Sequence, residues 1–259
     1  MKIRSHAAAS RSWLLVLAAF TVAAQAADLE VLSAIGMQPV MEDLVPKFER
    51  ASGHKISIAF PTLGQAVKRV QDGEHTDFVI IPRAGIEGFI RDGRTAAAKV
   101  AVVAYSSMGV AVRKGAPKPD ISTAEAFKRT LLGAKSITYG NPATGGSSGA
   151  YMVKVLDHLG IADEMRPKTI LLPKPGLSTQ LVANGEVELT VNQVQELVAV
   201  PGVDVVGPVP RELQQNTVFW GAVMNGTQNP EAAGALLDFL RTPEAVTVIK
   251  MMGMEPAAP

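Results

Sequence analysis

Unbroken or nearly unbroken apolar runs recur along the chain, and they predict strands of a sheet that helices cover on both faces. A strand buried on both faces is apolar throughout, whereas a half-exposed strand alternates apolar and polar residues. The runs are rich in Val, Ile and Phe, which favour strands. The predicted strands are 28–33, 55–60, 78–81, 100–104, 109–112, 136–139 and 169–172.

Amphipathic segments with helical periodicity separate these strands. The last two carry a proline near the first turn, where the missing N–H costs no hydrogen bond. Strands that alternate with helices are typical of the α/β class, and we predict mostly parallel sheets flanked by helices. The predicted helices are 37–52, 65–72, 85–92, 123–132, 149–159, 177–183, 230–240 and 243–252.

Two turn-rich breaks, at 115–120 and at 200–210, bracket a central block of the chain. They are either ordinary surface loops or the borders of a lobe inserted into another lobe. The second interpretation places a cleft between lobes, where ligand sites are common. We therefore predict an outer lobe of residues 27–108 and 208–259, and an inner lobe of residues 109–207.

The first 26 residues have the three parts of an export signal. Lys2, Arg4 and Arg11 precede an apolar stretch at 13–22, and Ala24 and Ala26 supply small residues for cleavage. The apolar stretch is about 10 residues long, whereas a membrane span needs roughly 20. We predict a signal peptide over residues 1–26 and an exported, periplasmic chain without stable membrane insertion.

Composition narrows the possible partners. Removing residues 1–26 leaves 22 basic and 24 acidic residues, a net charge of −2 instead of +1, which predicts no nucleic-acid binding. The chain has no cysteine, its four histidines show no metal-ligand spacing, and its glycines match no phosphate or dinucleotide fingerprint. We expect neither a metal nor a cofactor.

Four junctions place small or hydroxyl residues between a predicted strand and the helix after it. Helix N-termini leave unpaired N–H groups and a partial positive charge, so they bind anions, and hydroxyls add donors. Each Ser or Thr is alternatively a plain helix cap, the commonest use of these residues. The junctions are 33–36, 61–64, 144–149 and 176–179, and their candidate ligands are Ser33, Thr62, Ser147, Ser148 and Ser178.

A few charged side chains lie near these junctions. Arg83 follows the strand 78–81, where it would either clamp a carboxylate in bidentate fashion or remain a solvated surface arginine. Glu186 and Glu196 flank the segment that contains Gln193, but glutamates are common on exposed helices. No catalytic base is assigned from the sequence.

Several segments together resemble the bacterial periplasmic molybdate-binding-type solute-binding proteins over essentially the whole mature chain. The resemblance implies a two-lobed type II binding-protein fold that holds a small anion between its lobes and delivers it to an ABC transporter permease. We expect such a chain to act as a monomer. The segments are 27–64 with Leu32-Ser33-Ala34, 76–81, 139–142, 148–151, 159–161 and 239–256.

The resemblance also implies a set of ligand residues. Ser33 matches the family's first oxyanion-binding serine, and Thr62 with Leu63 stands where a second serine is expected. Ser147 or Ser148 falls near a backbone donor, and Gln193 replaces a tyrosine that often completes a molybdate site. This altered set fits an organic carboxylate as well as a tetrahedral oxyanion.

The second half of the chain additionally resembles the periplasmic aconitate isomerases of the same fold. Those enzymes shift a proton along a tricarboxylate, so the resemblance implies an isomerase as the alternative to a binding protein. The similar segments are 115–122, 126–128 and 200–207, which are scaffold turns rather than catalytic residues.

Overall fold

A computed structural model describes residues 26–257, so all of the predicted signal peptide except Ala26 lies outside the described residues. Short extended segments form two sheets over this range. The strands are β1 Asp28–Ser33, β2 Lys55–Ala59, β3 Phe78–Pro82, β4 Val100–Ser106, β5 Met108–Arg113, β6 Ile137–Thr138, β7 Leu189–Gln193, β8 Val203–Pro208, β9 Thr217–Val223 and β10 Glu255–Pro256.

Helices follow most of the strands, and local capping explains several of their ends. Gly53 ends the first helix in the left-handed conformation, at φ 77°, and Thr123 and Thr242 cap the N-termini of two others. The helices are α1 Gln38–Ser52, α2 Leu63–Gln71, α3 Arg83–Arg91, α4 Ala124–Gly133, α5 Ser147–His158, α6 Ala162–Met165, α7 Ser178–Ala183, α8 Val194–Val198, α9 Pro230–Phe239 and α10 Pro243–Met251.

The strands form one six-stranded and one four-stranded sheet. The six-stranded sheet has the order β10-β4-β9-β3-β1-β2, so it combines strands from both ends of the chain. The four-stranded sheet has the order β6-β7-β5-β8 and comes from a continuous central segment. This arrangement confirms the predicted α/β class. The residue boundaries that we predicted for the two lobes remain a proposal.

The prediction of mostly parallel sheets was wrong. In the six-stranded sheet β1 pairs in parallel with β2 and β3, but the pairs β3–β9, β4–β9 and β4–β10 are antiparallel. In the other sheet β6–β7 is parallel, while β5–β7 and β5–β8 are antiparallel. Unbroken apolar strands reflect burial on both faces, and an antiparallel strand can be covered in this way too: β5 pairs in antiparallel fashion on both sides and is buried from Met108 to Val112.

One predicted strand is not formed, and four strands were missed. The segment 169–172 contributes a single bridge between Ile137 and Thr169 instead of a strand. The missed strands are β7, β8, β9 and the two-residue β10. Polar residues obscured β7, since Thr190, Asn192 and Gln193 are buried in it.

Each sheet has its own hydrophobic core. The six-stranded sheet packs against helices through a cluster that includes Phe48, Phe78 and Phe89. The four-stranded sheet has one cluster around Phe127 and a smaller one around Val182. The chain therefore forms two lobes: an outer lobe built on the six-stranded sheet and an inner lobe built on the four-stranded sheet.

The chain crosses between the lobes twice within the described residues. Ser107 alone separates β4 of the outer sheet from β5 of the inner sheet, and residues 209–216 lead from β8 back to β9. Between residues 26 and 257, no helix combines the length and apolar character of a membrane span.

Candidate anion-binding site

A narrow cavity of about 30 Å³ lies between the two lobes. The outer lobe contributes the loop after β1, the start of α2 and Pro82, and the inner lobe contributes the start of α5 and the end of β7. This volume has room for about one or two water molecules, so a larger ligand requires the lobes to separate. Its walls are Ala34, Ile35, Gly36, Thr62, Leu63, Pro82, Gly140, Thr144, Gly146, Ser147, Ser148, Pro175, Gln193, Glu196 and Phe219.

The N-terminus of α5 supplies hydrogen-bond donors to this cavity. The helix begins after Gly146, which has no side chain with which to cap it. Among the described residues, no acceptor bonds the backbone N–H groups of Ser147 and Ser148. These N–H groups and the two hydroxyls present positive partial charge to the cavity, which is the arrangement that binds anions at helix ends.

Two glycines allow the loop after β6 to pack directly on this helix end. A Cβ at Gly149 would lie 2.6 Å from the backbone nitrogen of Pro142, and one at Gly140 would overlap the hydroxyl of Ser148. Larger residues at either position would push the loop away from α5. The close approach therefore holds Ser148 at the cavity wall.

Thr62 joins the lobes at the start of α2. Its hydroxyl accepts the N–H of Gln65, whose side chain accepts the N–H of Thr62 in return, so the pair forms a capping box. The same hydroxyl donates to the carbonyl of Thr144 in the inner lobe. A second contact between the lobes lies beside it, where the N–H of Gly64 donates to the carbonyl of Gly145 at 3.3 Å.

A network of buried amides connects the cavity to the crossings between the lobes. Gln193 donates to the hydroxyl of Thr217, the first residue of β9, at 3.0 Å, and accepts from Gln195 at 3.1 Å. Gln195 also donates to the carbonyl of Gly36 at 2.7 Å and accepts from Ser106, the last residue of β4, at 2.6 Å. These amides therefore link the cavity wall to both crossing strands.

Gly36 is required by the close approach of this network. A Cβ at position 36 would overlap Oε1 of Gln193 and lie 3.2 Å from the ring of Phe219. The absence of a side chain lets the loop after β1 pack directly on Gln193. Both residues then form one continuous part of the cavity wall.

Glu196 brings a carboxyl group to the same wall. It lies in the first turn of α8 and is partly exposed, and its Oε2 accepts a hydrogen bond from Asn192 Nδ2 at 3.2 Å. The same amide group also donates to Ser178 at 3.1 Å. Burial raises the pKa of Glu196 to about 7, and the bond from Asn192 opposes that rise.

Cationic side chains lie outside the cavity. Of the described residues that line it, Glu196 is the only one with an ionisable side chain. Arg83 and Lys154 instead border an adjoining groove of about 440 Å³, which shares Ser147 with the cavity. Arg83 donates to Glu87 at 2.6 Å, and its guanidinium lies 5.5 Å from the ring centre of Trp220.

The sequence model of the family described as bacterial extracellular solute-binding protein matches residues 29–255. The chain belongs to this family. It is 35% identical to an aconitate isomerase from Pseudomonas sp., over 88% of this chain and 87% of that protein. It is also 30% identical to the molybdate-binding protein ModA of Azotobacter vinelandii, over 89% of this chain and 91% of that protein.

The fold agrees with this family. The structure of the Azotobacter vinelandii periplasmic molybdate-binding protein superposes with a TM-score of 0.73 at 18% identity, and the match covers 89% of this chain and 99% of that one. The predicted molybdate-binding-type family and the two-lobed fold are therefore confirmed.

The structure brings four of the predicted ligand residues of this solute-binding protein together. Thr62, Ser147, Ser148 and Gln193 all border the cavity, although the hydroxyl of Thr62 is already used for capping and for the bond to Thr144. Their role as ligands remains a prediction.

The other three predicted residues lie beside the cavity rather than in its wall. Ser33 is fully buried beneath it, and its hydroxyl donates to the carbonyl of Ala34 at 3.4 Å. Ser178 is buried behind Asn192, and Arg83 lies in the adjoining groove. Their role as ligands also remains a prediction.

The sequence alone assigned no role to Glu196. It also did not predict that the carbonyl of Thr144 accepts a bond from Thr62, or that Gly36 must lack a side chain to pack on Gln193. The spacing of Asn192 and Glu196 by four residues was the available signal. However, Asn192 lies in strand β7 and Glu196 lies in helix α8, so periodicity did not predict their contact. The links of Thr144 and Gly36 to distant segments carry no local signature.

Proposed function

We propose that this chain is a periplasmic receptor that captures a small organic anion between its lobes and delivers it to an ABC transporter permease. The observation that carries this proposal is the uncapped N-terminus of α5 in an interlobe cavity. Helix N–H groups and hydroxyls bind anions without a cation, and exclusion of water strengthens each such bond. Because one chain supplies both sides of the cavity, we propose a monomer.

The positions of the charged groups favour an elongated carboxylate ligand over molybdate or sulfate. An ionised Glu196 would repel any anion beside it, a carboxylate as much as an oxyanion, so compensating cations have to come from outside the cavity. An elongated di- or tricarboxylate could place one carboxylate at Ser147 and Ser148 and extend another toward Arg83 and Lys154. A small tetrahedral ion would not reach both places.

A thermal-shift screen followed by calorimetry tests this proposal. We expect di- or tricarboxylates to raise the melting temperature more than molybdate, tungstate, sulfate or phosphate, since a ligand stabilises by RT ln(1 + [L]/Kd). Replacing Ser147 and Ser148 together by Ala should weaken binding about tenfold or more, because bonds to charged groups contribute about 1.5–3 kcal/mol each.

Ser122→Ala is the matched control, because Ser122 is exposed and does not border the cavity. Unchanged affinity in the double variant, with the control also unchanged, would remove the hydroxyls of Ser147 and Ser148 from the binding site. Delivery to a permease is tested separately, by uptake of the bound ligand in cells with and without this chain.

A second candidate function is an isomerase that shifts an allylic proton in an unsaturated tricarboxylate. The 35% identity to an aconitate isomerase over most of both chains favours it. Ultraviolet absorbance of the purified protein mixed with cis- or trans-aconitate distinguishes the two functions. Interconversion supports the isomerase, and a stable complex without turnover supports a receptor alone.

A further inference from the structure

We propose that Glu196 is the base that removes and returns the proton in an allylic isomerisation of an unsaturated tricarboxylate bound between the lobes, at this cavity and the groove beside it. This inference rests on the second candidate function. It names the residue that would carry out the reaction, which neither the family nor the predicted ligand set identifies.

The position of Glu196 is the first argument. A base must lie within hydrogen-bond reach of the carbon-bound proton, and among the described residues of the cavity wall Glu196 is the only ionisable one. Asn192 holds its Oε2 at 3.2 Å, while no described residue bonds Oε1. One oxygen is therefore fixed by the protein and the other is free to meet a ligand.

The cavity also provides hydrogen-bond donors that can stabilise the negative charge formed during such a reaction. Ser147 and Ser148, with their unbonded N–H groups, border the same cavity as Glu196. A carboxylate held by these donors would be stabilised as negative charge spreads onto it during deprotonation. The hydrogen-bond donors of Ser147 and Ser148 and the candidate base Glu196 thus line the same space between the lobes.

The proton transfer balances without any other reactant. Glu196 takes a proton from the methylene carbon, and the C–H electron pair becomes the new carbon–carbon double bond. The electrons of the old double bond move onto its far carbon and the carboxylate attached there. That far carbon then receives a proton from Glu196. One proton is removed and one returned, and nothing is oxidised or reduced.

The protonation behaviour of Glu196 suits both halves of this cycle. Burial raises its pKa to about 7, so near neutral pH it exists in both the accepting and the donating form. A catalytic group works best when its pKa is near the working pH. By contrast, burial raises the pKa of Tyr139 and of Tyr151, which disfavours either phenol as the base.

Hydrogen–deuterium exchange followed by NMR tests the inference. In D₂O the protein should exchange the methylene protons of trans-aconitate and form the cis isomer. Glu196→Gln, which keeps the shape and an acceptor for Asn192, should slow both processes about 10²–10⁴-fold. Its calorimetric affinity for trans-aconitate should stay within about fivefold. Glu164→Gln, an exposed glutamate of α6, should match the wild type.

Each outcome decides the question. Loss of exchange in Glu196→Gln with retained binding supports the inference, and exchange within threefold of the wild type overturns it. Wild-type protein that binds trans-aconitate without exchanging its protons overturns it too, but leaves the receptor function intact. If Glu196→Gln does not fold, Glu196→Asp decides: a fall in kcat of tenfold or more supports the base, and an unchanged kcat excludes it.

Discussion

Glu196 should make the stability of the protein depend on pH in a way that one substitution removes. Its pKa rises from 4.5 to about 7 on folding because the cavity wall takes its carboxyl group partly out of water. Between these values the folded state holds a proton that the unfolded state has lost, so the free energy of unfolding falls as the pH rises. Below pH 4.5 both states are protonated, and above pH 7 the full penalty persists.

The size of this effect follows from the shift. One pKa unit corresponds to about 1.4 kcal/mol, so a rise from 4.5 to about 7 corresponds to roughly 3.5 kcal/mol. Partial exposure of the side chain reduces the expected penalty to about 1–3 kcal/mol. Glu196→Gln has no charge to desolvate, and we expect it to be more stable than the wild type by this amount at pH 8 and about equal at pH 4.5.

Urea unfolding of both proteins without ligand, at several pH values between 4.5 and 8.5, measures this difference. Subtracting the two curves cancels the titration of groups that they share. The difference should grow from about pH 4.5 to pH 7 and then remain level. A difference that is flat across this range, or one that shrinks as the pH rises, would refute the assignment of a desolvated carboxyl at position 196.

Three further substitutions test the structure. Gly36→Ala adds a Cβ that overlaps Oε1 of Gln193, so it should weaken ligand binding about tenfold by calorimetry; unchanged affinity would contradict that close approach. Thr62→Val removes a helix cap and a bond between the lobes, and should lower the free energy of unfolding by about 1–2 kcal/mol in urea. A loss below about 0.3 kcal/mol would show that the hydroxyl does neither. Gly234→Ala, within α9 and without any atom near the added Cβ, should instead stabilise by about 0.5–1 kcal/mol, and a loss of stability would count against the open space there.

Much of the fold could be predicted because local pattern and burial agree. The segment of β3 is apolar and is buried at every position, and Pro230 and Pro243 begin helices where proline is tolerated. Strand direction depends on partners far away in sequence. Nothing local indicates that β9 returns to pair with β3 and β4 in antiparallel fashion, and the prediction of mostly parallel sheets failed for that reason.

The candidate site was predictable where its residues belong to local motifs. Thr62 begins a helix in a capping box, and Ser147 and Ser148 open another, so their residue types already suggested those positions. Glu196 differs because its environment comes from segments that meet only after folding. A glutamate in a short helix resembles any surface glutamate until the cavity around it is known.

The position of β9 also has a consequence for the order in which the chain folds. The inner sheet is built from one continuous stretch, so its strands can pair as soon as that stretch is available. The centre of the outer sheet requires Phe78 to meet Val223 across the whole inner lobe. Contacts so distant in sequence form slowly, because a long loop must close first. We therefore expect the inner lobe to fold early as a compact unit. Its folding would bring β9 close to its outer-lobe partners β3 and β4.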